Sequence, residues 1–342
     1  MNQNPQSYML SEAESRAIFE RDIFPAELGA LSTAEPPTSV NGDDDGAHRT
    51  PLAVLLVGQT GAGKTRTAPA IKDAIIRLRG ASNFLHLVAD TYKTYHPAYH
   101  ALLSARPALA SPATSPDARR WLSMAAAAAS SRRADVLLES AARHPDDFAG
   151  LARLFRARGY RVEVAVLAVP AALSRLGILT RFHEKLPEAG PSGGLPVRLT
   201  PRRVHDESYE GLLAAAAFVD SADAVDQVVV VRRDNVVAYA DERVNGSWRR
   251  GPGVLEAVRA ERRRPLTFLE RTAAESSLKR LREMDVPGLA SQLEEIEELL
   301  KPLLDDSDTL VYEPLKPLSL PNPAHDEQFD NEAGLRLGIM SP

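Results

Sequence analysis

From Ser11 to Leu28 apolar side chains recur at helical spacing, at Ala17, Ile18, Phe24 and Leu28, and Ser11 with Glu14 three residues on has the form of a capping box. The pattern breaks over residues 32–50, where Pro36, Pro37, Gly42 and the run Asp43-Asp44-Asp45 predict a flexible surface linker. From residue 51 short apolar runs alternate with helical stretches. Leu52 to Val57 is apolar without interruption, as a parallel strand covered on both faces requires. A helix is predicted from Lys64 to Arg79, a strand from Phe84 to Ala89, a helix over 116–133 and a strand from Asp135 to Leu138. An amphipathic helix follows from Asp146 to Arg158, ended by Gly159, then a strand from Arg161 to Val169. Residues 170–186 and 202–218 read as helices. Gln227 to Val231 and Val236 to Ala240 read as two strands of a hairpin.

This alternation predicts an α/β fold with a mostly parallel sheet of five or six strands, helices on both faces and a helical C-terminal extension. The chain divides into an N-terminal helix and linker (1–50), an α/β unit (51–252), a helical stretch (253–303) and a proline- and acid-rich tail (304–342) expected to be poorly ordered. No internal repeat is present.

Composition adds limits. With no cysteine in 342 residues, disulfides, thiolate metal sites and a cysteine nucleophile are excluded. The first ten residues lack the basic and apolar regions of a signal peptide, and no apolar stretch reaches the roughly 18 residues of a membrane helix. A cytoplasmic protein without a membrane partner is expected. The net charge of -5 gives no reason to expect nucleic acid as a partner.

The chemistry begins at Gly58-Gln59-Thr60-Gly61-Ala62-Gly63-Lys64-Thr65, which fits G-x-x-x-x-G-K-[ST]. Its amide groups are suited to cradle phosphates, Lys64 to reach the β- and γ-phosphates of ATP, and the Thr65 hydroxyl to hold Mg²⁺. The helix that follows adds its positive N-terminal end. An apolar strand before the loop and a helix after it supply the context the motif needs. This is a P-loop NTPase or kinase pattern.

Two acids close strands, Asp90 after FLHLV and Glu139 after DVLL. In an open parallel sheet ligands lie beyond the carboxyl ends of strands, so both should face Lys64 across one cleft. Asp90 fits a base that orients an attacking hydroxyl, a Mg²⁺ ligand, or an N-cap for the next helix. Glu139 fits an acceptor-binding acid, a magnesium-shell acid or a plain strand-end acid. Cations that could draw charge from a transferring phosphoryl group are Arg143, Arg181 and Arg198. His96 and His183 lie near these segments without metal-ligand spacing. The run Arg262-Arg263-Arg264 reads as a helix surface.

Taken in order, these segments resemble the zeta toxin family, P-loop kinases of toxin–antitoxin systems. VGQTGAGKT (57–65) is similar to the family's phosphate loop and ADTYKTYHP (89–97) to the segment carrying its base, which falls on Asp90. LLESAAR (137–143) is similar to the segment with an acceptor-binding glutamate and arginine, which fall on Glu139 and Arg143. LGILTRFHEKL (176–186) and VRLTPRRVHD (197–206) are similar to family segments whose arginines, the first a phosphate clamp, fall on Arg181 and Arg198. The resemblance implies transfer of the ATP γ-phosphate to a hydroxyl of UDP-N-acetylglucosamine or a related nucleotide sugar, with a small helical antitoxin as partner. It covers residues 51–220.

The chain departs from the family pattern at Ser140-Ala141, where Gly-Thr is common, and at Phe182-His183, where tyrosine and an acid are common. A kinase of another small acceptor, such as an antibiotic or dinucleotide, and a non-catalytic ATP-binding switch are the alternatives. A guanine-nucleotide switch ranks below both, because no Asn-Lys-x-Asp segment is present.

Overall fold

Leu52–Gly58 (β1) is buried along its whole length, and its side chains alternate between two apolar clusters. Leu52, Val54 and Leu56 enter one cluster, Ala53, Leu55 and Val57 the other. A strand apolar on both faces must lie inside a covered sheet. In the computed structural model, which describes residues 4–29, 31, 49–185, 199–304, 335 and 337, β1 is central. It pairs in parallel with Asp135–Ser140 (β3) on one side and Arg161–Leu167 (β4) on the other. Phe84–Val88 (β2) lies parallel outside β3, and Gln227–Val231 (β5) parallel outside β4.

Val237–Val244 (β6) and Ser247–Trp248 (β7) continue antiparallel. The described strands form a seven-stranded sheet in the order β2-β3-β1-β4-β5-β6-β7, wider than the five or six strands expected. The addition has a local cause. β6 runs on through Asp241, Glu242 and Arg243 to an Asn245-Gly246 turn, both residues at positive φ, which returns the chain as β7. Two left-handed residues make the tight hairpin turn whose twist matches the strands.

The helices form two layers. One face of the sheet is covered by Lys64–Arg79 (α2), Ala171–Lys185 (α6), Phe268–Glu283 (α9) and Leu289–Leu300 (α10). The other carries Glu12–Ile18 (α1), its π-helical continuation Phe19–Leu28, Pro107–Ser131 (α4), Pro145–Ala157 (α5), Arg202–Ser221 (α7) and Val254–Arg263 (α8). Tyr99–Ala105 (α3) packs on α4. The Ser11–Glu14 capping box is present as expected.

Helix α4 starts nine residues before the expected 116, because Pro112 and Pro116 read locally as breakers. Tertiary packing overrides them: Trp121 is fully buried and donates its indole N–H to Ser15 O at 2.8 Å. The Asp43-Asp44-Asp45 run and most of the linker and tail lie outside the described residues. Leu335 and Leu337 are described, and both are buried in the cluster that holds α9 and α10.

Candidate active site

β1 delivers the chain to the phosphate loop at the centre of the sheet's carboxyl edge. Gly61 and Gly63 adopt φ of 82° and 103°, a region closed to most side chains. A Cβ on Gly61 would also stand 2.1 Å from the carbonyl oxygen of Ser174 on α6. The loop therefore needs glycine for its backbone conformation and for its closeness to α6. Gln59 is fully buried and turned away from the opening, where its Nε2 donates to Val169 O at 2.6 Å. The Thr60 amide donates to Ser208 Oγ at 3.1 Å. Thr60, Gly61, Gly63, Lys64 and Thr65 line a cleft of about 960 Å³, whereas Gly58, Gln59 and Ala62, also expected at the nucleotide, are buried and not among its lining residues.

Across the cleft stand the strand-end acids. Asp90 follows β2 by two residues, its side chain 63% exposed, and accepts from Lys93 Nζ at 2.5 Å. It caps no helix with its side chain. Glu139, near the end of β3, is buried and lies 2.9 Å from His86 Nε2 on β2. Arg143 follows a left-handed Ala142 (φ 52°) and donates through Nε to Glu207 of α7 at 2.5 Å. Gly211 of α7 permits this, since a Cβ there would meet Ala142 O at 2.1 Å. Arg181, on α6, lines the same cleft, as do Asp90, Glu139 and Arg143. Arg198 lies outside the described residues.

Electrostatics tie these groups together. Burial pushes the Lys64 ammonium below its ordinary 10.5; the charges of Glu139 and Asp90 oppose that shift, and Arg181 adds to it. The lysine thus feels both acids and the arginine at once. In this state Lys64 Nζ donates to Gly58 O at 2.7 Å, a bond it can exchange for phosphate oxygens. The glycine-dependent loop with Lys64 at the cleft fits a polyphosphate, and the exposed Thr65 beside it fits one ligand of a phosphate-bound Mg²⁺. No group of three or more His, Asp or Glu suited to a metal is found among the described residues.

Several residues escape the sequence reading. Lys93 follows Asp90 by three positions and also donates to Ser111 at 3.1 Å. The i,i+3 spacing on a helical turn was a visible signal. His86 and Glu139 meet only because β2 and β3 are neighbours. Arg233, just after β5, reaches over the phosphate loop and donates to Leu173 O at 2.6 Å. Burial and the nearby Arg66 push its guanidinium below the ordinary value, with Glu270 opposing. Gly177 makes room for it, since a Cβ there would lie 2.5 Å from Arg233 Nη2.

Of the expected surface run, Arg262 and Arg264 are buried and Arg263 alone is exposed. Arg262 stacks on Tyr209 at 3.6 Å, and Arg264 pairs with Glu261 and Glu270, so each finds a partner inside. His96 is buried against Tyr8 O, and His183, on α6, lies off the cleft. Ser174, His205 and Asp206 form a relay, at 2.8 and 2.9 Å, like that of a serine hydrolase. Ser174 and His205 are buried beneath the phosphate loop with no access to the cleft, so the relay braces the loop and offers no nucleophile.

Comparison with known proteins places this geometry. A structure from the PezAT chromosomal toxin–antitoxin system of Streptococcus pneumoniae superposes with a TM-score of 0.58 at 21% identity, covering 81% of this chain and 98% of that one. The likeness shows that the two chains share a fold. Among curated proteins, Toxin PezT of Streptococcus pneumoniae is 28% identical over 193 residues, 56% of this chain and 73% of that protein. Toxin zeta of Enterococcus hirae is 25% identical over 194 residues, 57% of this chain and 65% of its own length. The zeta toxin family model matches residues 40–244, which hold the phosphate loop, both strand-end acids and Arg181. On that match, which spans more than half its length, the chain belongs to the zeta toxin family.

Proposed function

We propose that this chain is a kinase that transfers the γ-phosphoryl group of ATP to a hydroxyl of UDP-N-acetylglucosamine or a related nucleotide sugar. One observation carries the reading: the phosphate loop and the acids Asp90 and Glu139 line a single cleft, close enough that both acids act on Lys64. A switch that only binds nucleotide has no need of a second, acid-lined half.

In this reading the loop amides and Lys64 hold the β- and γ-phosphates. Thr65 holds Mg²⁺, which supplies charge neutralisation on the phosphate oxygens. Glu139, steadied by His86, and Arg143, steadied by Glu207, bind the acceptor. Asp90, held by Lys93, takes the proton of the acceptor hydroxyl. The new oxygen–phosphorus bond forms as the bond from the γ-phosphorus to the β–γ bridging oxygen breaks, and ADP leaves. Arg181 and Arg198 draw off charge as the group moves. A small helical antitoxin covering this cleft is the partner the reading implies, and a cytoplasmic site of action goes with it.

The test is transfer from labelled ATP with Mg²⁺ to UDP-N-acetylglucosamine, followed by mass spectrometry of the product. Asp90→Asn is expected to bind ATP as the native protein does while transfer falls on the order of a hundredfold or more. Full activity in that variant would remove Asp90 as the base. Phosphorylation of some other metabolite from a cell extract, with the nucleotide sugar untouched, would replace the acceptor.

A further inference from the structure

We infer that α9, which lies beyond the family-matched residues, forms the wall that receives the base and ribose of the nucleotide. The inference rests on the proposal that the phosphate loop binds ATP. It starts from direction. For transfer, the terminal phosphate must face Asp90, Glu139 and Arg143, which come off β2 and β3. The rest of the nucleotide then leaves the loop on the opposite side of β1, beyond β4 and β5. The cleft extends that way, and its far end is walled by α6, Arg233 and α9.

The α9 sequence carries two stripes. Ala274, Leu278 and Leu281 are buried in the sheet-side core. Leu269, Ala273, Ser276, Ser277 and Arg280 form a second stripe at i, i+4, i+7, i+8 and i+11, and all line the cleft. Leu269 is 76% exposed, an unusual position for a large apolar side chain on a helix that already has a buried face. Leu173 and Leu176 of α6 line the same cleft but are nearly buried, and the Arg233 guanidinium packs against Gly177 beside them. An exposed apolar side chain and a guanidinium lining one cleft suit a flat heterocycle that carries a sugar.

The wall is held firmly. Arg280 pairs with Glu184 of α6 at 3.0 Å and ties the two helices across the outer rim. At the other end Arg264 grips Glu270, on the first turn of α9, by two bonds of 2.6 Å and Glu261 by a third of 2.6 Å. Glu261 in turn accepts from Arg232, the neighbour of cleft-lining Arg233, at 2.6 and 3.0 Å. The start of α9 is thereby fixed to the end of β5, next to Arg233 over the phosphate loop.

The test compares a non-hydrolysable ATP analogue with inorganic tripolyphosphate, each with Mg²⁺, by calorimetry on the full chain. The variants are Leu269→Asp and Ala273→Trp, both at exposed helix positions that leave the buried stripe intact. The native chain is expected to bind the analogue more tightly than tripolyphosphate. Each variant should weaken the analogue about tenfold, the scale of losing one well-covered apolar contact, and leave tripolyphosphate unchanged. Native-like affinity for the analogue in both variants would overturn the wall and leave the kinase proposal standing. Equal weakening of both ligands would overturn it too, since α9 would then act through the phosphate loop. A native chain that binds neither ligand would overturn both proposals.

Discussion

Arg264→Met should loosen α9 by about 3 kcal/mol, at the lower end of what breaking a buried ion network costs. The figure follows from what the substitution strands. Arg264, Glu261 and Glu270 have side chains 7%, 10% and 11% exposed. Burial alone would lower the Arg264 guanidinium, but hydrogen bonds and charge from Glu270, and then from Glu261, more than reverse this and raise it. Without it, Glu261 keeps both bonds to Arg232, whereas Glu270 keeps only the Thr267 amide and hydroxyl. One carboxylate is left buried without its cation. The readout is amide hydrogen exchange over 268–283 at neutral pH, where about 3 kcal/mol corresponds to opening that is roughly 150-fold more frequent. Replacing Glu270 by Leu in the same chain should restore part of the protection, because the stranded charge is gone. A change below about 1 kcal/mol in Arg264→Met would refute the reasoning and mean that water reaches these groups freely.

Glu270 predicts acid sensitivity. Arg264, by hydrogen bond and charge, outweighs burial and holds its carboxyl below the ordinary 4.5, so its contribution to stability is complete above pH 4.5 and is lost as pH falls through the lowered value. Acid titration followed by near-ultraviolet circular dichroism should show that loss, and Glu270→Gln should flatten it. Gly61→Ala should lower stability by about 1–2 kcal/mol from the left-handed backbone alone and more from the contact with Ser174 O, with ATP binding lost; thermal unfolding and calorimetry check both. Lys64→Met should abolish ATP binding yet leave the unfolding temperature of the ligand-free protein at pH 7 no lower than native. Burial depresses this lysine in the fold, so its charge costs stability below the depressed value, and the advantage of Met should fade toward pH 10.5.

The strand-and-helix plan was legible because β1 to β5 are near-continuous apolar runs and the phosphate loop is written in adjacent residues. Asp90 and Glu139 could be named because ligands of an open parallel sheet lie beyond the carboxyl ends of its strands, whereas Arg143 and Arg181 stood out from the many other arginines only through the family resemblance. The long start of α4 was hidden by two prolines that only the packing of Trp121 explains. β7 follows an Asn245-Gly246 turn, but the charged run Asp241 to Arg243 before it masks the strand pattern that would extend the hairpin. The partners of site residues were out of reach. His86 beside Glu139, Glu207 beside Arg143 and Arg233 over Gly63 are each joined by neighbours in space that no local pattern records. The buried Arg262 and Arg264 misled for the same reason, since their partners Tyr209 and Glu270 sit on other helices.

The apolar cluster under β1 also holds Leu278, Leu281, Leu293 and Ile296 from α9 and α10. A gene trimmed to encode the family-matched stretch alone would retain the whole phosphate loop and both strand-end acids. Its product would expose the leucines of α6, on which α9 and α10 pack, to water and associate through that bare layer. In such a lineage the late helices could be exchanged for another greasy cover, supplied by a fused module or a second subunit, but could not simply be dropped.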